Sequence, residues 1–190
     1  MTRDGDGRDP DSWRVADVMP GLVVAYALLA AGGYLWLRWR DRTEMLAEHA
    51  VGRHGALAAV AVGTATAFAF YGLGRLAARY VPAFAALEAT LAGLLGTLRE
   101  RQAVVVALTS GAAEEFFFRG AMQDALGWTI TTVAFALSNY GGPRLRLWCV
   151  PAGLLGAVLG GLVIAGFGLL SAALAHALFN YLWLQRWVVR

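Results

Sequence analysis

The sequence contains no lysine, only one cysteine (Cys149) and few charged side chains. A single cysteine excludes an internal disulfide and any metal site built from several cysteines. Charged residues make up 15% of the chain, against about 25% in soluble domains, and 58% of the residues are hydrophobic. The net charge of +3 is small and spread over the loops, so it does not indicate a nucleic-acid-binding surface. These deficits argue against an ordinary soluble domain.

Long apolar segments are abundant, and the mean hydropathy is +0.55. They predict an all-α fold, a polytopic integral membrane helical bundle with six to seven transmembrane helices. One segment, 81–98, is ambiguous because Glu88 lies near its middle, so it either spans the bilayer or lies at its interface. The predicted helices cover residues 19–37, 55–76, 81–98, 102–118, 128–140, 147–167 and 169–187.

The order of the segments predicts a short tail followed by one membrane domain. Residues 1–17 are polar and predicted to be disordered. N-terminal membrane helices occupy 18–101, and a helical core occupies 102–190. If 81–98 spans, ten arginines fall on one side of the membrane and six on the other. The positive-inside rule then favours seven spans, with the N-terminus outside and the C-terminus in the cytoplasm.

Two adjacent glutamates and an arginine stand at the end of the apolar segment 103–118. Ionisable groups at membrane depth cost a few kcal/mol and usually have a function. In a helix, Glu115 and Arg119 are four residues apart and share a face, which predicts an ion pair. Glu114 is turned by about 100° from Glu115, so it is available for another task. That task could be general acid–base catalysis.

The last apolar helix contains His176 and Asn180, again four residues apart on one face. A histidine in a membrane helix needs a polar partner, and Glu114 is the predicted partner. Asn139, at the end of the helix between the two, is a third polar group that could join them. The sequence therefore predicts one shared polar site made by three helices.

These residues form three ordered motifs: Glu114-Glu115-x-x-x-Arg119-Gly120, Phe135-x-x-x-Asn139 and His176-x-x-x-Asn180. Together they resemble the pattern of the CPBP family, also called the Abi family. Its members are glutamic-type intramembrane proteases similar to type II CAAX prenyl endopeptidase. The resemblance covers residues 103–185. The family has histidine in its second motif, where this chain has Asn139.

The resemblance implies an intramembrane endopeptidase that hydrolyses a peptide bond of a membrane-associated protein or peptide. Glu114 would activate water, and His176, Asn180 and Asn139 would orient it or stabilise the oxyanion. Glu115 and Arg119 would be the supporting pair. Asparagine can hydrogen-bond to an oxyanion but cannot exchange a proton near pH 7. A mechanism that needs two histidines is therefore impaired, whereas one that uses Glu114 as the base, with His176 and Asn139 as orienting groups, is retained.

The expected partners are a membrane-embedded or lipidated peptide or protein substrate and the lipid bilayer, with no nucleic acid. No cofactor is expected. A divalent metal is weakly supported, because one carboxylate, one histidine and two asparagines are a poor set for zinc. The H-E-x-x-H motif of zinc proteases is missing as well. The small helical core predicts a multi-pass protein of a prokaryotic plasma membrane.

Other interpretations stay open. The charged cluster of Glu114, Glu115 and Arg119 could extend to the membrane interface and only stabilise the membrane topology of the chain. His176 and Asn180 could only form hydrogen bonds that hold neighbouring helices together. Asn139 could be a helix C-cap before Gly141. At the level of the whole protein, the alternative is a catalytically inactive CPBP-like membrane scaffold or partner-binding protein. A third possibility is a small transporter or proton-relay protein that uses Glu114 and His176.

Overall fold

The computed structural model describes residues 15–95 and 98–188, and these residues form a helical bundle. The helices are α1 (Val15–Trp39), α2 (Met45–His49), α3 (Gly55–Tyr80), α4 (Pro82–Leu95), α5 (Glu100–Glu115), the π-helix (Phe116–Met122), α6 (Gln123–Ser138), the 3₁₀ segment Pro143–Trp148, α7 (Cys149–Ile164), α8 (Gly168–Leu184) and the 3₁₀ segment Gln185–Trp187.

The helical class predicted from the sequence is confirmed, with differences at the segment boundaries. Helix α1 begins at Val15, inside the predicted tail, and the rest of that tail lies outside the described residues. The predicted loop 38–54 contains the short helix α2. The predicted connector 120–127 is wrong, because the chain continues there as π-helix and then as α6. The bend falls at Gly127, whose φ of 81° favours glycine.

Three segments within the described residues are long and apolar enough to cross a membrane: Met19–Trp39, Gly55–Tyr80 and Leu145–Ile164. Helix α4 has 14 residues, which corresponds to a length of about 21 Å. A bilayer core is about 30 Å thick, so α4 would not cross it unaided. The total of six to seven spans remains a prediction.

Helix α8 lies at the centre of the bundle, with α3 and α5 packed against it. Both contacts are close because glycines face α8. A Cβ atom at Gly63 of α3 would lie 2.6 Å from the Ser171 carbonyl oxygen, and one at Gly111 of α5 would lie 2.6 Å from the Ala177 backbone nitrogen. Small residues at such contacts let membrane helices approach closely. This close approach brings the polar residues of α5 and α8 together.

We expect Gly63→Ala to destabilise the protein by about 1–3 kcal/mol, because the added methyl group forces α3 away from α8. Gly72→Ala on the same helix is the matched control, since a Cβ atom there meets nothing within 4 Å. That control should be neutral or stabilising by up to about 1 kcal/mol, as alanine is the better helix former. Unfolding of both variants in detergent, followed by circular dichroism, measures the difference. Equal stability of the two would contradict the close α3–α8 contact.

A charged clamp connects the end of α1 to the start of α6. Arg40 Nη1 and Arg42 Nη2 donate to the two carboxylate oxygens of Asp124, at 2.6 Å and 2.9 Å. The hydrogen bond from Arg42, reinforced by Arg40, holds the pKa of Asp124 below its usual range. The clamp fixes the register of α1 against the segment that follows the two glutamates.

Candidate active site

The predicted ion pair between Glu115 and Arg119 is present. Arg119 Nη1 donates to Glu115 Oε1 at 2.9 Å, and both side chains are fully buried. Arg119 Nη2 donates to the Gly156 carbonyl oxygen at 3.0 Å, which attaches the pair to α7. A buried charge is tolerated only when it is paired and hydrogen-bonded, and this arginine meets both conditions. The pair therefore joins α5, the π-helix and α7.

The predicted hydrogen-bond partner of His176 is wrong. His176 Nδ1 lies 2.7 Å from Glu115 Oε1, so the histidine of α8 contacts the second glutamate and not Glu114. The spacing in the sequence predicted Arg119 as the partner of Glu115 and left Glu114 for His176. A carboxylate, however, offers about four acceptor sites and can serve both partners at once. An ionised carboxylate only accepts, so Nδ1 donates and Nε2 is left for other contacts.

Phe135, from the second motif, packs between these charged groups. The Arg119 guanidinium lies 4.2 Å from the centre of the Phe135 ring, an arrangement that favours a cation–π contact. The His176 ring meets the same phenylalanine edge-on, at 5.7 Å between ring centres. Phe135 is 1% exposed. It packs against both Arg119 and His176 and so restricts the orientation of these two side chains.

Asn180 is held by a hydroxyl group of α5. Asn180 Nδ2 donates to Ser110 Oγ at 2.9 Å, and Ser110 is buried. An amide nitrogen carries two hydrogens, so one remains for a further acceptor. Ser110 had no assigned role in the sequence analysis, although it stands one helical turn before Glu114.

Asn139 is the C-cap of α6, as one of the sequence interpretations proposed. Its Nδ2 donates to the Phe135 carbonyl oxygen at 2.9 Å, and its Oδ1 accepts from Trp148 Nε1 at 3.3 Å. These local bonds account for much of the hydrogen-bonding capacity of the amide. Asn139 nevertheless lines the same cavity as the other candidate residues.

All four candidate catalytic residues line one cavity of about 300 Å³. Glu114, His176, Asn180 and Asn139 contribute polar groups to its wall, as do two further residues described below. Most of the remaining wall is apolar, as is typical of ligand pockets, which combine apolar walls with a few polar groups. The apolar residues come mainly from α3, α4, α7 and α8: Phe70, Leu73, Ala77, Phe84, Leu87, Leu155, Phe179 and Trp183.

Tyr26 of α1 also lines this cavity, and the sequence analysis missed it. Its hydroxyl group lies within hydrogen-bonding range of the Glu114 carboxylate and the Ser110 hydroxyl. A signal was present in the sequence: a tyrosine in the middle of an apolar span usually needs a partner for its hydroxyl group. The span lies far from the three motifs along the chain, so its neighbours could not be identified.

Glu88 of α4 lines the cavity as well, near the C-terminal end of α8. It pairs with Arg75 of α3 at 3.6 Å and with Arg186 after α8. This accounts for the glutamate that made the segment 81–98 ambiguous. Its charge is balanced by two arginines from neighbouring elements.

Within residues 15–95 and 98–188, no group of three or more histidine, cysteine, aspartate or glutamate side chains is arranged to hold a metal ion. The expectation that the protein uses no cofactor remains a prediction. The polar groups of the cavity could bind and polarise water or a carbonyl oxygen directly.

Residues 96–182 match the family model described as Rce1-like, a type II CAAX prenyl endopeptidase family. The matched segment contains all three motifs, from Glu114 to Asn180. It includes α5, the π-helix, α6, α7 and most of α8, and excludes Tyr26. No curated protein and no solved structure matches the chain significantly.

Proposed function

Because residues 96–182 belong to the Rce1-like family of type II CAAX prenyl endopeptidases, we propose that this protein is an intramembrane endopeptidase. Its substrate would be a membrane-associated or lipidated peptide or protein, and its product a shortened chain. The observation that carries the proposal is the convergence of Glu114, His176 and Asn180 on one largely apolar cavity. Residues of two motifs that lie up to 66 positions apart would have no reason to meet there if each motif only stabilised its own helix.

The proposed reaction begins at Glu114. Its carboxylate takes a proton from a water molecule, and the resulting hydroxide attacks the carbonyl carbon of the scissile bond. The carbonyl oxygen becomes an oxyanion. The C–N bond then breaks, and Glu114 returns its proton to the leaving amine. One water is consumed, and an acid and an amine are released.

His176 and Asn180 are proposed to stabilise the oxyanion. Glu115 accepts from His176 Nδ1, which fixes the ring and supports a positive charge on it, so Nε2 can donate toward the cavity. Asn180 is fixed by Ser110 and has a second N–H to offer. Oriented donors of this kind typically contribute about 10²–10³ in rate. Asn139 is proposed to contribute less to oxyanion stabilisation, because its amide group already hydrogen-bonds to Phe135 and Trp148.

The apolar wall supports a substrate with an apolar segment next to the scissile bond. Six aromatic side chains line the cavity besides Tyr26: Phe70, Phe84, Phe135, Trp148, Phe179 and Trp183. Burying aliphatic or isoprenoid groups against such walls contributes about 25 cal/mol for each Å² removed from water. A peptide with a lipidated or strongly apolar C-terminal segment fits this description.

The test uses the purified protein in liposomes with a synthetic peptide that carries a prenylated cysteine near its C-terminus. We expect a C-terminal fragment to appear in mass spectra. His176→Ala should slow its release at least about 100-fold. His54→Ala is the matched control, since His54 is exposed and does not line the cavity. Full activity of His176→Ala would refute the proposed mechanism.

A non-catalytic membrane scaffold is the second candidate, and the local bonding of Asn139 favours it. The amide of Asn139 is bonded to the Phe135 carbonyl oxygen and to Trp148 Nε1, and unlike histidine it cannot exchange a proton near pH 7. The same assay separates the two functions, because a scaffold would bind the peptide and leave it intact.

A further inference from the structure

We infer that Tyr26, on a helix outside the family segment, is a positioning residue for the proposed base Glu114. The inference rests on the proposed function and extends it to α1. The two adjacent glutamates differ in how their side chains are held. Glu115 is held by Arg119 and His176, whereas no salt bridge within the described part of the chain reaches Glu114.

Glu114 therefore needs another group to hold its side chain. A glutamate side chain has three rotatable bonds. Without a restraint, its carboxylate would occupy the position next to the attacking water for only a fraction of the time, and the reaction would be slower. Tyr26 lines the same cavity as Glu114, and its hydroxyl group is a side-chain hydrogen-bond partner of the Glu114 carboxylate. A phenol hydroxyl that donates to a carboxylate makes a charge-assisted hydrogen bond, about twice as strong as a neutral one.

The packing of α1 makes this contact a defined one. Tyr26, Gly33 and Leu37 are seven and eleven residues apart, so they share one face of the helix. That face is pressed against the segment after Glu114: a Cβ atom at Gly33 would lie 3.2 Å from the Phe116 ring. Leu37 is fully buried against Met45 and Ala121. These contacts, together with the hydrogen bonds of Arg40 and Arg42 to Asp124 at the end of α1, restrict the rotation of the helix. Tyr26 is therefore held facing Glu114.

Ser110 extends the contact to the other side of the site. Its hydroxyl group lies within hydrogen-bonding range of Tyr26 and accepts from Asn180 Nδ2 at 2.9 Å. Tyr26 and Ser110 thus link the proposed base on α5 to the proposed oxyanion donor on α8. The spacing between water activation and oxyanion stabilisation would be set by this chain of hydroxyl groups.

The test is Tyr26→Phe in the full-length protein, assayed in liposomes with the prenylated peptide. We expect kcat to fall about 10- to 100-fold, the value of one hydrogen bond to a charged group. KM should stay within about twofold and the melting temperature should not change, because phenylalanine keeps the ring. Tyr34→Phe is the matched control: Tyr34 lies on the same helix, is 49% exposed and should retain wild-type kcat.

Wild-type kcat in Tyr26→Phe, with Glu114→Gln inactive, would overturn the inference and leave the proposed function intact. Full activity of Glu114→Gln would overturn both. An activity-independent measurement is the infrared carboxyl band of Glu114, identified by its loss in Glu114→Gln. Tyr26→Phe should shift that band because the hydroxyl donor is gone. An unshifted band would show that Tyr26 does not contact Glu114.

Discussion

Glu114→Gln should lower kcat by about 10²–10⁴, the usual contribution of a general base. Glutamine keeps the size and shape of the side chain and can still accept a hydrogen bond from Tyr26. It cannot take a proton from water, so the loss should fall on kcat, while KM changes little. The cavity, the His176–Glu115 contact and the packing of α5 should stay as they are.

The measurement is steady-state cleavage of the prenylated peptide by the purified variant in liposomes. Glu48→Gln provides the control, because Glu48 is exposed on α2 and outside the cavity. It should retain wild-type kcat. Retention of more than half the activity by Glu114→Gln would rule out Glu114 as the base. Unchanged peptide binding by both variants would show that only the chemical step was affected.

Arg119→Ala should have the largest effect on stability, a loss of about 3–5 kcal/mol. Its guanidinium contacts Glu115, the Gly156 carbonyl oxygen and the Phe135 ring. Alanine would leave the Glu115 charge buried with His176 as its remaining partner. It would also remove a side chain that fills the space between the π-helix and α7.

The comparison is made with Arg38→Ala, which removes an ion pair of similar length but with exposed partners. Arg38 and Asp41 are 65% and 88% exposed, with 3.2 Å between the charged atoms. Such surface pairs contribute about 0–1 kcal/mol. Unfolding by sodium dodecyl sulfate in mixed micelles, followed by tryptophan fluorescence, gives both free energies. Similar losses for the two variants would contradict a structural role for the buried pair.

A second variant separates lost packing from a stranded charge. Glu115→Gln combined with Arg119→Ala removes both charges, so it should be more stable than Arg119→Ala alone. If the double variant is no more stable, the loss comes from packing around Phe135 and Gly156.

Much of the site could be predicted from the spacing of polar residues in apolar helices. The Glu115–Arg119 pair was predicted from a spacing of four residues on one helix face, and the contact is present although the chain from Phe116 to Met122 is π-helical. Asn139 was correctly considered as a helix cap, since Gly141 and Pro143 follow it closely. The helical class follows from the apolar segments. In each case the interaction is local, so the positions along the chain are sufficient.

Contacts between helices could not be predicted in the same way. The choice of Glu115 over Glu114 as the partner of His176 depends on how α8 is rotated against α5, which the contact at Gly111 and Ala177 sets. A rotation of α5 by about 100° about its own axis would bring Glu114 to the place of Glu115 beside His176. The position of Tyr26 depends in turn on how α1 packs against the π-helix, and a π-helical turn was not expected there.

The sequence by itself thus determined that the protein is helical and apolar and that it contains three polar motifs in one order. It also determined the ion pair within the first motif. Only the tertiary structure decided which glutamate meets His176, and that Tyr26 and Ser110 join the site. The physical reason is that a helix fixes the direction of neighbouring side chains, while the rotation and approach of whole helices come from packing between distant residues.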